Sequence, residues 1–92
     1  MEKVRARVII EGTVQGVFFR HHTAQTARRL GVRGWVKNRR EGSVEAVFEG
    51  DKGTVDQIVQ WCHRGPSGAR VTEVHLSWED FRGEFEDFSV TY

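Results

Sequence analysis

Val14-Gln-Gly-Val-Phe-Phe-Arg-His-His22, read as VQGVFFRHH, lies between a segment that alternates and a segment with helical period. Its reading decides where the first strand stops and the first helix starts. Upstream, Val4, Ala6, Val8 and Ile10 fall on one side of an extended chain, and Arg5, Arg7 and Ile9 on the other. A period of two is the pattern of a half-buried strand. Downstream, from about Arg20, the apolar residues Ala24, Ala27 and Leu30 recur at helical spacing, and Gly31 is placed to end the helix. That stripe is thin, so Phe18 and Phe19 are expected to help fill the core. Gly16 permits a positive φ in the loop between. The joint reads as strand, glycine-bearing loop, helix.

Outward from this joint the elements alternate. Arg33-Gly-Trp-Val-Lys-Asn-Arg39 and Ser43-Val-Glu-Ala-Val-Phe-Glu49 flank Arg40-Glu-Gly42, which predicts a hairpin with Gly42 in its turn. In the second of these strands Val44, Ala46 and Phe48 share one face, while Glu45, Val47 and Glu49 are expected to point outward. Val55, Ile58, Val59 and Cys62 stand at i, i+3, i+4 and i+7, which predicts a second helix. Its start is either a cap at Asp51 or a capping box of Thr54 with Gln57, and Gly65-Pro66 stops it. Val71 to Trp78 reads as the last long strand, with Val74, Leu76 and Trp78 on one face, and Phe88 to Tyr92 as a short closing one. Right-handed crossovers on both strand–helix–strand units give a ferredoxin-like α+β sandwich, βαββαβ plus a short C-terminal strand. The expectation is one domain, 1–92, with an antiparallel sheet and two helices on one face.

Bulk properties narrow the function classes. Ninety-two residues support a single modest core. A formal charge of +1 gives no reason to expect a polyanionic partner, although it leaves room for a local basic pocket. Cys62 is the one cysteine, which fits a reducing compartment. No hydrophobic signal core opens the chain, and no apolar run approaches the ~20 residues needed to span a bilayer. A cytoplasmic protein with no membrane partner is expected, and a monomer, since no separate apolar stripe is left over.

Arg20 raises the chemical question. Helix N-termini carry partial positive charge, so a cation there costs about 0.3–1 kcal/mol. Backbone N–H groups of a glycine-bearing loop followed by a free helix N-terminus form an anion nest, and the guanidinium fork can hold two phosphate oxygens. A dianionic ligand turns that cost into a gain. Asn38 has two readings, a turn-forming amide or a group that donates and accepts at once and so holds a water. Whether Asn38 faces the opening loop depends on strand register. His21 and His22 are neighbours on a helix and point about 100° apart, Cys62-His63 are likewise adjacent, and no metal-ligand spacing is present, so no metal or other cofactor is expected. His75 alternates with Val74 and Leu76 and belongs on the solvent side, and Cys62 on the apolar helix face is an inert thiol. Glu79, Asp80, Glu84, Glu86 and Asp87 read as a solvated acidic rim. Arg33-Gly34-Trp35 lacks the continuation of an RNA-recognition signature, so no nucleic-acid partner is expected.

Two longer signatures carry a resemblance. The first is Ile10-Glu-Gly12-Thr-Val14-Gln15-Gly16-Val17-Phe-Phe19-Arg20. The second is Gly34-Trp35-Val36-Lys37-Asn38, Arg39-Arg40-Glu41, Gly42-Ser-Val44, ending at Gly50. In order, spacing and closing segment the sequence resembles an acylphosphatase over essentially its whole length. The resemblance implies hydrolysis of the carboxyl–phosphate bond of acyl phosphates to carboxylate and inorganic phosphate, without metal. It also implies that Arg20 binds the phosphate, that Gln15, Gly16, Val17, Phe18 and Phe19 form its cradle, and that Asn38 orients the attacking water. His21-His22 falls outside the pattern and receives no role. Acylphosphatase-like domains also occur within larger maturation enzymes that handle carbamoyl phosphate; with no extension beyond the domain, this chain is expected to be the free-standing enzyme. A binding module that uses the same cradle without fast hydrolysis is the alternative.

Overall fold

The computed structural model of the chain describes residues 2–92. The elements are β1 (Lys3–Thr13), α1 (Phe19–Leu30), β2 (Arg33–Asn38), β3 (Val44–Asp51), α2 (Lys52–Arg64), β4 (Arg70–Glu79) and β5 (Phe88–Val90). One sheet holds all the strands in the order β4-β1-β3-β2-β5. β1 pairs antiparallel with β3 and with β4, and β2 antiparallel with β3. The ferredoxin-like expectation holds for these strands and both helices. The closing strand departs from a purely antiparallel sheet, because β5 runs parallel to β2, with Gly34 opposite Phe88 and Val36 opposite Val90. β4 and β2 run in opposite directions, so a chain that crosses from the end of β4 to the far edge and turns back must run along β2.

This geometry gathers β1, β2 and β5 in one direction. Their carboxyl ends and the start of α1 meet at the same end of the sheet. The core lies between the helices and the face that carries Ala6, Val8, Ile10, Val36, Val44, Ala46 and Phe48, all fully buried. From α1 come Phe19, Ala24 and Ala27, and from α2 Val55, Ile58, Val59 and Cys62. Each helix ends as its sequence predicts. Gly31 takes φ 74° after α1, and Val32 N–H donates to the Ala27 carbonyl at 2.8 Å. Gly65 takes φ 69° after α2 and donates to the Trp61 carbonyl at 2.7 Å. A side chain at Gly65 would stand 2.6 Å from the Phe19 ring, so the α2 terminus also makes room for the first residue of α1.

Of the two starts expected for α2, the one at Asp51 is found, although not as a side-chain cap. Asp51 holds the cap position without a side-chain bond into the helix, and its carboxylate pairs instead with Lys3 Nζ at 2.7 Å. Thr54 Oγ1 donates to the Asp51 carbonyl at 3.0 Å. Among the described residues no helix is long and apolar enough to cross a membrane.

The face away from the helices differs most from expectation. Val47 and Glu49 are buried, not outward, and Arg5 is only 3% exposed. Arg5 Nε donates to Glu79 Oε1 at 2.9 Å, and its Nη1 to Glu49 Oε2 at 3.1 Å and Glu84 Oε1 at 2.8 Å. Arg82 N–H closes on the same Glu49 oxygen at 2.9 Å. Glu79 and Glu84 therefore belong to a built ion cluster, while Asp80, Glu86 and Asp87 remain the exposed rim. The crossing segment 80–87 lies over this end of the sheet because Arg5 and Glu49 bind it there. Burial pulls the Arg5 pKa down, but its hydrogen bonds to Glu79, Glu49 and Glu84 outweigh that and raise it. Burial likewise pushes Glu49 up, and the Arg82 N–H and the Arg5 guanidinium hold it below the usual carboxylate range.

Candidate active site

The loop between β1 and α1 is shaped by two left-handed residues. Gly16 has φ 76°, which glycine adopts freely. Phe18 has φ 59° and ψ 27° at the cap position of α1, an outlier for a bulky side chain. That turn separates two rings that the sequence reading sends to the core together. Phe19 is 1% exposed and packs on Trp61 with ring centroids 5.4 Å apart. Phe18 is turned out and is 75% exposed.

The same turn leaves the backbone donors open. α1 has no side-chain cap and no acidic residue in its first turn. Among the described residues, no backbone N–H from Gln15 to His21 donates to a protein acceptor. Orphan N–H groups at a helix start, with the helix dipole behind them, are a ready anion site. Val17 packs against the core and the side chain of Gln15 points elsewhere. Gln15 Nε2 donates to the Arg39 carbonyl at 2.8 Å and the Ser43 carbonyl at 2.9 Å. It ties this loop to the turn of the β2–β3 hairpin.

Asn38 enters from that hairpin, and its register sets which face it lies on. It pairs with Val44, which pairs with Ile10, so Asn38 lies on the helix face with the core residues. Its Oδ1 is buried and has no hydrogen-bond partner. The hairpin turn closes without it: Arg39 N–H donates to the Ser43 carbonyl at 2.8 Å, Gly42 N–H donates to the Arg39 carbonyl at 3.1 Å, and the Ser43 hydroxyl donates to Glu41. An unpaired buried amide oxygen is costly, by about 1–3 kcal/mol. It is free to accept from a ligand or a water.

Asn38 and Arg20 line one cleft of about 350 Å³, together with Val14, Gly16, Phe18, Phe19, His21, Val90 and Tyr92. Gln15 and Val17 are not among the lining residues, so for them only the backbone is at issue. Arg20 has no carboxylate partner among the described residues, and its guanidinium carbon lies 5.0 Å from the centroid of the Tyr92 ring. No Asp or Glu lines the cleft. A paired-carboxylate acid/base mechanism has no residues here. Sequence reasoning passed over Val14, His21, Val90 and Tyr92 as cleft residues; the last two arrive only because β5 runs parallel to β2.

Elsewhere, Cys62 is buried and its thiol pKa is pushed up by burial, as an inert core cysteine requires. His75 is on the solvent side as expected, with Nε2 2.5 Å from Glu11 Oε2 and 3.1 Å from Glu73 Oε2. Those three side chains offer ligand atoms within 4.8 Å of one another. All are exposed, and none lines the cleft.

Among the described residues, unpaired amides and an arginine without a carboxylate partner meet at a helix start of this small α+β sandwich, an arrangement able to accept a compact anion. The acylphosphatase family model matches residues 6–90. An acylphosphatase of Geobacter sulfurreducens is 60% identical over 90 residues, covering 98% of this chain and 99% of its own. One from Pelotomaculum thermopropionicum is 47% identical over the full length of both. The structure of an acylphosphatase from Coxiella burnetii superposes with a TM-score of 0.92 at 34% identity, covering 97% of this chain and 93% of that one. The chain belongs to the acylphosphatase family.

Proposed function

We propose that the chain hydrolyses the carboxyl–phosphate bond of acyl phosphates, with Arg20 and the backbone N–H groups of Gln15 to Phe19 holding the phosphate and Asn38 orienting the water. Family membership supports the reaction, and the buried Asn38 Oδ1, unpartnered beside Arg20, carries the assignment of roles. The water donates one O–H to that oxygen, which leaves a lone pair facing phosphorus. The new P–O bond forms as the bond to the acyl oxygen breaks, in line. The loop N–H groups and the Arg20 fork stabilise charge on the equatorial oxygens. The leaving carboxylate has a parent acid of pKa about 4, so no general acid is needed. The water's proton passes to a phosphate oxygen of the substrate. Products are carboxylate and inorganic phosphate, with no cofactor consumed.

The test is hydrolysis of benzoyl phosphate by chelator-treated protein, run beside Arg20→Ala and Asn38→Ala. Turnover in the wild type that is lost in both variants is the expected result. Folded wild type that binds orthophosphate without turnover would make the domain a phosphate-binding module instead.

A further inference from the structure

We propose that the segments around the cleft form a ring of positive charge that steers anionic acyl phosphates onto Arg20, with Arg40, Arg64 and Arg70 as its outer, exposed members. This rests on the phosphate reading above. The net charge of +1 conceals how the charges are divided along the chain. Residues 12–40 hold seven Lys and Arg and no Asp or Glu, and residues 57–72 hold two and none. The closing stretch 88–92 has no charged side chain. All thirteen acidic residues lie in the rest of the chain, with five cations among them.

The acid-free segments are the ones that build the cleft. Every residue lining it comes from 12–40 or 88–92. The 57–72 segment packs behind the cradle: Trp61 lies on Phe19, and a side chain at Gly68 would stand 4.0 Å from Val17 Cγ1. Arg64 directly follows the α2 turn that carries Trp61, and Arg70 pairs across with Thr13, just before the loop begins. Arg40 stands two residues beyond Asn38, in the turn to which Gln15 ties the loop. Among the described residues, the cations of these segments that face a carboxylate are Lys37, 4.0 Å from Glu45, and Arg39, 3.4 Å from Glu41. Arg40, Arg64 and Arg70 are exposed and face none. Cations of one sign gathered without partners repel one another, so the fold gains nothing from this division. A cleft walled by one sign of charge focuses its field outward, and an approaching anion is drawn to the floor where Arg20 waits.

The experiment measures kcat and kcat/KM for benzoyl phosphate from about 0.01 M to about 1 M sodium chloride, over which the screening length shrinks from about 30 Å to about 3 Å. It compares wild type with Arg40→Gln/Arg64→Gln/Arg70→Gln, and with Lys3→Gln/Lys52→Gln/Arg82→Gln, which removes as much charge from the acid-bearing segments. At the lowest salt the first variant is expected to lose about tenfold in kcat/KM, the low end of steering effects, with kcat unchanged. That loss should vanish at the highest salt, which a misplaced loop would not do. The second variant should follow wild type throughout. A wild-type kcat/KM that is flat with salt, a first variant that keeps the wild-type slope, or a second variant that loses as much as the first would overturn the ring. Orthophosphate affinity, titrated by calorimetry at both salt extremes, separates the two readings. A salt-dependent affinity that the first variant weakens, without turnover, defeats the hydrolase and keeps the ring. Turnover with one salt slope in both proteins defeats the ring and keeps the hydrolase. A wild type that neither binds orthophosphate nor turns over overturns both.

Discussion

The two ends of the sheet treat an arginine in opposite ways. Where β1 begins, Arg5 is buried and donates to Glu49, Glu79 and Glu84. At the other end, Arg20 faces no carboxylate among the described residues and shares its cleft with an amide oxygen that has no partner there. The first guanidinium is satisfied by the protein and binds the 80–87 segment across the sheet. The second is left unsatisfied by carboxylates, so its hydrogen-bonding capacity is open to a ligand. Polar groups complete among themselves hold a fold together; polar groups left incomplete in a preformed cleft await a ligand.

Breaking the incomplete end has the largest effect. Arg20→Lys keeps the charge and loses the fork, and kcat/KM for benzoyl phosphate should fall about 10²–10³-fold with little change in Tm. Near-wild-type kinetics would mean that a point charge is enough. Breaking the complete end should do the reverse. Arg5→Met leaves Glu49 buried and unpaired, and urea unfolding should show a loss of about 3 kcal/mol. Adding Glu49→Leu should recover most of it, and no recovery would mean that Arg5 acts through packing alone. Turnover of the folded fraction should be kept throughout.

Asn38→Ala comes next: kcat should drop about 100-fold while the orthophosphate inhibition constant moves less than about twofold. Lost phosphate affinity with intact kcat would place Asn38 on the phosphate. The smallest effect is acid sensitivity. Glu79 is held below the ordinary carboxylate range by its hydrogen bonds to Arg7 and then Arg5, and Glu49 is lowered as described. An unfolded Glu titrates near about 4.3. Below that pH the unfolded chain binds more protons than the folded one. The contribution is therefore complete above the unfolded value and is lost as pH falls through the folded ones. Tm measured from neutral to acid pH should fall more steeply for wild type than for Glu49→Gln; parallel curves would remove Glu49 from the cause.

The legible part of this molecule was its periodicity and its punctuation. Alternation in β1, the stripe of α2, and Gly31 and Gly65 at the helix ends are local features, and each is where the sequence places it. The place of Arg20 in the first turn of α1 was legible too, since a cation at a helix start is a local anomaly. The direction of Asn38 was not, because it follows from pairing across the hairpin with Val44 and onward to Ile10. Nor was the Arg5 cluster, whose Glu79 partner lies 74 residues away along the chain. Glu79 and Glu84 look like any acidic rim until an arginine is brought beneath them. Phe18 defeats sequence reasoning for a different reason: its neighbour Phe19 is chemically identical, and only the φ of one residue sends them to opposite sides of the surface.

β1 sits inside the sheet between β3 and β4, and that position has a kinetic meaning. It is the first strand along the chain, yet Arg5 pairs across to Glu49, 44 residues later, and to Glu79, 74 residues later. Neither neighbour can be reached by a tight turn; both crossovers must form first. Closing such distant pairs costs chain entropy before it returns contact energy, and proteins dominated by non-local pairing fold in roughly milliseconds to seconds, not microseconds. While it waits, β1 is an alternating strand with both edges bare. Speed of folding is thus set by the pairing of β1, and the cleft, built at the carboxyl end of that strand, inherits its two walls only when those pairs have closed.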